Sequence, residues 1–306
     1  MGLYETYINR LIENLNKNDF KGQEIDIVLD SGGFKGVYLY GALLYLKELE
    51  KKNKIKINRI SGSSIGAILG MLYILDKLDL YDDLYQEIAE DFKKNMNFNK
   101  FNELLENIGK SIDKSYYKKL NHKLFVNFFD VNEKKELVIS EYKNNNHVIE
   151  CMKYTSYIPI ITDGNLHYNY KVDGARPFIF NSRSKYENNI LYIDLNFIGK
   201  LNYYLNNTHD KNGSSCILKG IMEIHDFFLL KSNTVMCSYV NNWKLYDYGF
   251  HRLKELLWIV FIYLMMFSSF IYKKLNPCLS SSSAFNLIRN IFKKFVIDIY
   301  IKVVFT

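Results

Sequence analysis

The apolar positions along this chain change their period several times, and each change marks an element. Tyr4, Ile8, Leu11, Ile12 and Leu15 recur three and four residues apart, which predicts an amphipathic helix over 3–16. Glu24-Ile25-Asp26-Ile27-Val28-Leu29 is a compact strand-like run that ends at the glycine-rich turn Ser31-Gly32-Gly33-Phe34-Lys35-Gly36. Helical spacing then returns over about 37–52, with Leu39, Ala42, Leu43, Leu46 and Leu49 on one face. A short strand at Ile55–Ile60 runs into Ser61-Gly62-Ser63-Ser64-Ile65-Gly66, and an apolar helix over about 65–77 follows. Strand, glycine turn and helix, repeated twice, is the alternation of an α/β fold with a parallel sheet.

Further along, 80–125 is polar with helical spacing and reads as a helical insertion or cap. Strand-like runs resume at Glu136–Ser140, Tyr157–Ile161, Leu166–Val172, Ile190–Ile193 and Thr234–Tyr239, with polar loops at Lys185–Asn189 and Asn206–Ser215. The character changes again at the C-terminus. Leu256–Tyr272 carries no charge, and Ala284–Phe305 is amphipathic, with Arg289, Lys293, Lys294 and Lys302 among Ile, Phe and Val. The expected organisation is an N-terminal helix over 1–21, a globular α/β unit over 22–250, and a hydrophobic and basic region over 251–306.

Composition narrows the class. A chain of 306 residues with 48% hydrophobic and 24% charged residues is globular rather than disordered. A net charge of +7 suits an anionic membrane surface or nucleic acid. Its abundant Tyr and Phe form no recognisable stacking platform, so no nucleic-acid partner is expected. Cys151, Cys216, Cys237 and Cys278 form no CxxC pair and no zinc-type spacing with His, so reduced thiols of a cytosolic protein are expected. The N-terminus has no apolar secretory core, which argues against a secretory signal.

The candidate chemistry lies in the two glycine turns. Gly62-Ser63-Ser64-Ile65-Gly66 fits G-x-S-x-G, in which a sharp strand-to-helix turn points one hydroxyl outward and flanking glycines allow close backbone approach. The helix N-terminus behind Ser64 favours a developing negative charge. One strand–helix unit upstream, Gly32-Gly33 offers consecutive amides at a strand end, with Lys35 adding positive charge. A phosphate-binding loop would need G-x-x-x-x-G-K-[ST] or G-x-G-x-x-G, and the chain has neither there, which disfavours nucleotide binding.

Asp30-Ser31-Gly32-Gly33-Phe34-Lys35-Gly36 resembles the glycine loop of patatin-like phospholipases, G-G-G-x-[RK]-G, with Ser31 in place of the first glycine. The G-x-S-x-G elbow follows one unit later, as in that family. Met152–Pro159 resembles the family's Ala-Ser-x-x-x-Pro-like segment, with Thr155 for the Ala and one residue fewer before Pro159. The resemblance covers about 22–180. It implies a three-layer α/β/α sandwich with a central mostly parallel sheet. It also implies a serine lipid acyl hydrolase of the phospholipase A type that uses no metal or other cofactor. Ser64 would be the nucleophile, and an Asp in a D-G-[GA] motif the base. Gly32, Gly33, Lys35 and Gly36 would form the oxyanion loop, and Gly62 and Gly66 the elbow.

Two Asp-Gly pairs compete for the base. Asp163-Gly164 lies between strand-like runs, where Asp-Gly is a hairpin signal. Asp173-Gly174-Ala175 instead ends the run Tyr168–Val172, which favours Asp173. A Ser-Asp-His triad on an α/β-hydrolase fold keeps His209, His225 and His251 open by chain order. A catalytically inactive membrane-binding relative is the non-enzyme alternative.

The uncharged run 256–272 has about the length of a minimal membrane span, and a buried or interfacial helix is the other reading. The basic segment after it suits an anionic lipid surface. Met1–Thr6 formally fits the myristoylation pattern. A cytoplasmic, membrane-associated protein acting on an acyl lipid is expected.

Overall fold

The structure is a computed structural model that describes residues 2–15, 22–95, 97–174, 176–180, 189–195 and 213–279. Its elements in chain order begin with α1 (Gly2–Glu13), β1 (Gln23–Leu29), a 3-10 turn (Gly33–Lys35), α2 (Gly36–Lys51), β2 (Ile55–Gly62) and α3 (Ile65–Ile74). The helical insertion forms α4 (Leu80–Asn95), α5 (Phe101–Ser111) and α6 (Tyr117–Leu120). After it come β3 (Leu124–Asp130), β4 (Lys135–Ile139), α7 (Asn145–Thr155), β5 (Lys171–Asp173) and β6 (Asn189–Ile193). The last described elements are α8 (Ser214–Leu230), β7 (Cys237–Tyr239) and α9 (Leu245–Leu279).

Seven strands form one mixed sheet in the order β4-β3-β2-β1-β6-β7, with β5 also paired to β3. The inner strands β3, β2, β1 and β6 run parallel. The β4, β5 and β7 pairings are antiparallel. This is an α/β fold whose parallel centre matches the alternation read in the first quarter of the chain. Along β1 the side chains alternate between two apolar layers. Ile25, Ile27 and Leu29 enter the large core with α1, α2, α3 and α8. Val28 faces the other side, with Phe180, Ile190, Tyr192 and Val240. There α9 covers part of the sheet, since Ile262, Trp258, Ile259 and Met266 pack with Phe129, Tyr157 and Val172.

Several sequence expectations change. Tyr157–Ile161 forms no strand and turns from Pro159 onward, because Pro159 has no amide to pair and Ile160 takes a positive φ of 69°. Of Leu166–Val172, only Lys171 and Val172 become strand, as part of β5. Asp163-Gly164 sits in a turn with Gly164 at φ 84°, yet the segments beside it are not a hairpin. The strand β3 and helices α7 and α8 were not among the expected elements.

Among the described residues, no helix is long and apolar enough to cross a membrane. The run 256–272 therefore carries no shown transmembrane helix. It lies within α9, which rests along the sheet through the fully buried Ile262. The amphipathic segment 284–305 lies outside the described residues, as do 185–188, 206–212, Ala175 and His209.

Candidate active site

The first glycine turn closes β1 against α2. Gly33 takes φ 54°, a left-handed conformation that glycine adopts at no steric cost. The Lys35 amide donates to the Gly32 carbonyl at 3.0 Å. The Gly36 amide donates to the carbonyls of Gly33 and Phe34, so it is spent inside the turn. The amides of Gly32 and Gly33 donate no such turn bond among the described residues, and both glycines line the cleft described below. Lys35 is half-buried, and burial lowers its pKa while Asp30 and Asp194 act against that.

The second turn joins β2 to α3. Ser64 has φ 53° and ψ −125°, a backbone state that costs a non-glycine residue about 1–3 kcal/mol. Close packing imposes it. A Cβ on Gly62 would lie 2.5 Å from the Ala67 nitrogen, and one on Gly66 would lie 2.5 Å from the Leu29 carbonyl oxygen. The elbow is thus pressed onto the end of β1 beside the first turn. Thr155 braces it, its Oγ1 accepting from the Ser64 amide at 2.9 Å and donating to the Asn127 carbonyl at 2.7 Å. Ser64 thereby stands at the N-terminus of α3, where partial positive charge gathers.

Strand pairing carries Asp173 to the same place. One edge of β3 is filled by β4 from Val126 to Asp130. The other edge takes β2 only up to Gly62, opposite Val126, and then β5, with Asp173 opposite Phe128. The end of β2 and the end of β5 therefore meet two residues apart along β3, roughly 7 Å at strand rise. Ser63 Oγ donates to Asp173 Oδ1 at 3.2 Å. The Asp173 main chain is fixed on both sides, its amide donating to the Tyr157 carbonyl at 2.9 Å and its carbonyl accepting from Trp258 Nε1 at 3.0 Å. A Cβ on Gly174 would come within 2.7 Å of Asn127 Nδ2, so this turn too is tightly packed.

Ser64 and Asp173, 7% and 4% exposed, line one cleft of about 720 Å³ together with Gly32, Gly33, Arg176 and Trp258. Ser64 also borders a smaller apolar pocket of about 70 Å³, built by Phe34, Ile65, Ile68, Leu84, Tyr85 and Phe98. Arg176 is held by the His251 carbonyl at 2.6 Å and by an ion pair with Glu255.

The competing residues among those described lie elsewhere. Asp163 accepts from the Tyr157 hydroxyl and the Asn165 amide and lines neither cavity at Ser64. His225 is buried against the Tyr45 hydroxyl at 2.9 Å, and burial lowers its pKa. His251 packs on Tyr192 and Trp243, and burial with nearby Arg176 and Lys254 depresses it to about 3. Neither histidine borders Ser64.

Sequence reasoning missed Thr155 as a brace, Trp258, and a carboxyl pair beneath the first turn. Asp30 is buried, hydrogen-bonds Asp194, and is pushed up to about 8, first by burial and then by the Asp194 charge. The folded chain holds this proton more tightly than the unfolded chain. Its stabilising contribution is therefore full below about 4 and lost as pH rises towards about 8. Urea-unfolding midpoints of the wild type should fall across that window. Asp30→Asn should flatten the fall, and an unchanged slope would show that Asp30 is not the group that holds this proton.

In comparison with known proteins, the model of the family described as patatin-like phospholipase matches residues 27–194, more than half of the chain. The matched stretch holds both glycine turns and Asp173 and stops before α8 and α9. A search of curated proteins finds no match.

Proposed function

The chain belongs to the patatin-like phospholipase family, a family of lipid acyl hydrolases, and from that premise we propose that it cleaves ester-linked fatty acyl chains from phospholipids through Ser64 and Asp173. The observation that carries this reading is the strained Ser64 elbow, set at a helix N-terminus and sharing a cleft with a buried carboxylate.

In the proposed reaction the acyl chain enters the apolar pocket beside Ser64, and the rest of the lipid occupies the larger cleft. Ser64 Oγ attacks the ester carbonyl carbon as its proton passes to Asp173. The Gly32 and Gly33 amides, unspent in their turn, stabilise the oxyanion. The ester C–O bond breaks, and the leaving alcohol takes the proton from Asp173. Water then attacks the acyl-enzyme and gives a proton to Asp173. Release of the fatty acid returns that proton to Ser64. Ser63, through its bond to Asp173 Oδ1, orients the carboxylate.

The test is product analysis by mass on a panel of phospholipids and neutral glycerides. A free fatty acid with its lysophospholipid is expected. Intact phospholipid beside cleaved triacylglycerol would redirect the substrate class, and no acyl cleavage from any lipid would refute the reading.

A further inference from the structure

The helix α9 shows three faces at helical spacing. The inner face, with His251, Glu255, Trp258 and Ile262, is fastened to the sheet and to the strand that ends at Asp173. A flank with Leu257 and Phe261 walls the cleft that holds Ser64 and Asp173. The remaining face is apolar and open to solvent. Leu256, Leu264 and Phe267 are 58%, 60% and 61% exposed, and Val260 lies between them on the same stripe. From Leu256 to Ile271 the sequence holds no charged residue. A helix that is apolar all round is normally buried all round, and an exposed contiguous apolar patch of this kind marks a binding face.

We propose that this face of α9 docks the protein onto the surface of a bilayer containing anionic lipid, with the mouth of the cleft turned towards it. Two observations select that occupant. First, the exposed stripe adjoins the cleft-lining flank, so whatever covers the stripe sits at the mouth. A second copy of the chain seated there would obstruct the entry of an acyl lipid, whereas a lipid surface delivers one. Second, the sequence that continues from the stripe is basic. Between 273 and 306 the sequence holds the cationic Lys273, Lys274, Arg289, Lys293, Lys294 and Lys302 and a single acidic residue, Asp298. Apolar insertion together with cationic side chains is the pairing that holds proteins on anionic interfaces. The choice of occupant rests on the acyl-lipid reading above.

The experiment uses the full chain carrying Ser64→Ala, so that binding is measured without turnover. It is sedimented with phosphatidylcholine vesicles containing about one third phosphatidylserine. Adding Leu256→Asp, Leu264→Asp and Phe267→Asp, none of which lines the cleft, should weaken partitioning on the order of a hundredfold. The same three changes in the chain with Ser64 intact should leave hydrolysis of a monomeric short-chain ester unchanged. Unaltered vesicle binding by the triple variant would overturn the proposal. So would a wild-type dimer that these changes dissociate while vesicle binding persists. Should the triple variant fail to fold, Phe267→Trp serves in its place, because brominated lipid in the vesicles should quench the new tryptophan. Absence of quenching would also overturn the proposal. Vesicle binding without any ester hydrolysis would refute the catalytic reading and leave the docking face standing.

Discussion

Ser64→Ala is expected to lower lipid ester hydrolysis by on the order of 10⁴- to 10⁶-fold, because removing an activated nucleophile leaves only binding and oxyanion stabilisation. The fold should survive. Alanine has the same Cβ as serine, so it meets the same backbone strain at φ 53° and no more. The Thr155 brace acts on the main-chain amide, which the substitution leaves in place. Thermal unfolding within a degree or two of wild type, beside lost turnover, is the expected pair of results. Retained turnover would remove Ser64 from the mechanism.

Asp173→Asn should cost on the order of 10³-fold in kcat, the usual range for losing a positioned base. Asparagine preserves the size of the side chain and an oxygen that can accept from Ser63 Oγ, so the loss would report proton transfer rather than packing. The matched control is Asp163→Asn, which alters the bond to the Tyr157 hydroxyl at a site that does not border Ser64. That control should stay within about threefold of wild type, well below a base effect. Steady-state kinetics on one lipid substrate separates the two. A larger loss from Asp163→Asn than from Asp173→Asn would reverse the assignment of the base.

The two glycine turns were legible because their signals are local. A strand, a Gly-x-Ser-x-Gly turn and an apolar helix are contiguous in sequence, and their packing demands fall within the same few residues. The placement of Asp173 was less legible. Its strand is three residues long, and its position depends on β2 ending at Gly62 so that β5 can take the same edge of β3. No spacing in the sequence encodes that shared edge. β3 itself, Leu-Phe-Val-Asn-Phe-Phe-Asp, adjoins a helical insertion and has too little alternation to stand apart. Tyr157–Ile161 misled in the other direction, since its aromatic and branched residues suit a strand while Pro159 and the Ile160 backbone enforce turns.

The C-terminal run posed a different problem. Its length and apolarity alone do not distinguish a span from a helix lying on protein or on lipid. The contacts that decide it come from residues far away in sequence. Trp258 donates to the Asp173 carbonyl, Glu255 pairs with Arg176, and Ile262 is buried beside Val172. Through these contacts an element beyond the family-matched stretch becomes one wall of the cleft and a support for the Asp173 main chain. The part played by Trp258 is not legible in the sequence, because its partner is a backbone carbonyl that no pattern reveals.

Whether Ser64 is an activated nucleophile is read by covalent labelling of the folded wild-type chain with a fluorophosphonate, followed by peptide mapping. A single phosphonyl adduct on Ser64 is expected, absent from Ser64→Ala and undiminished in Asp163→Asn. A folded chain that takes no label, or one that carries it on Ser63 or another residue, would contradict it.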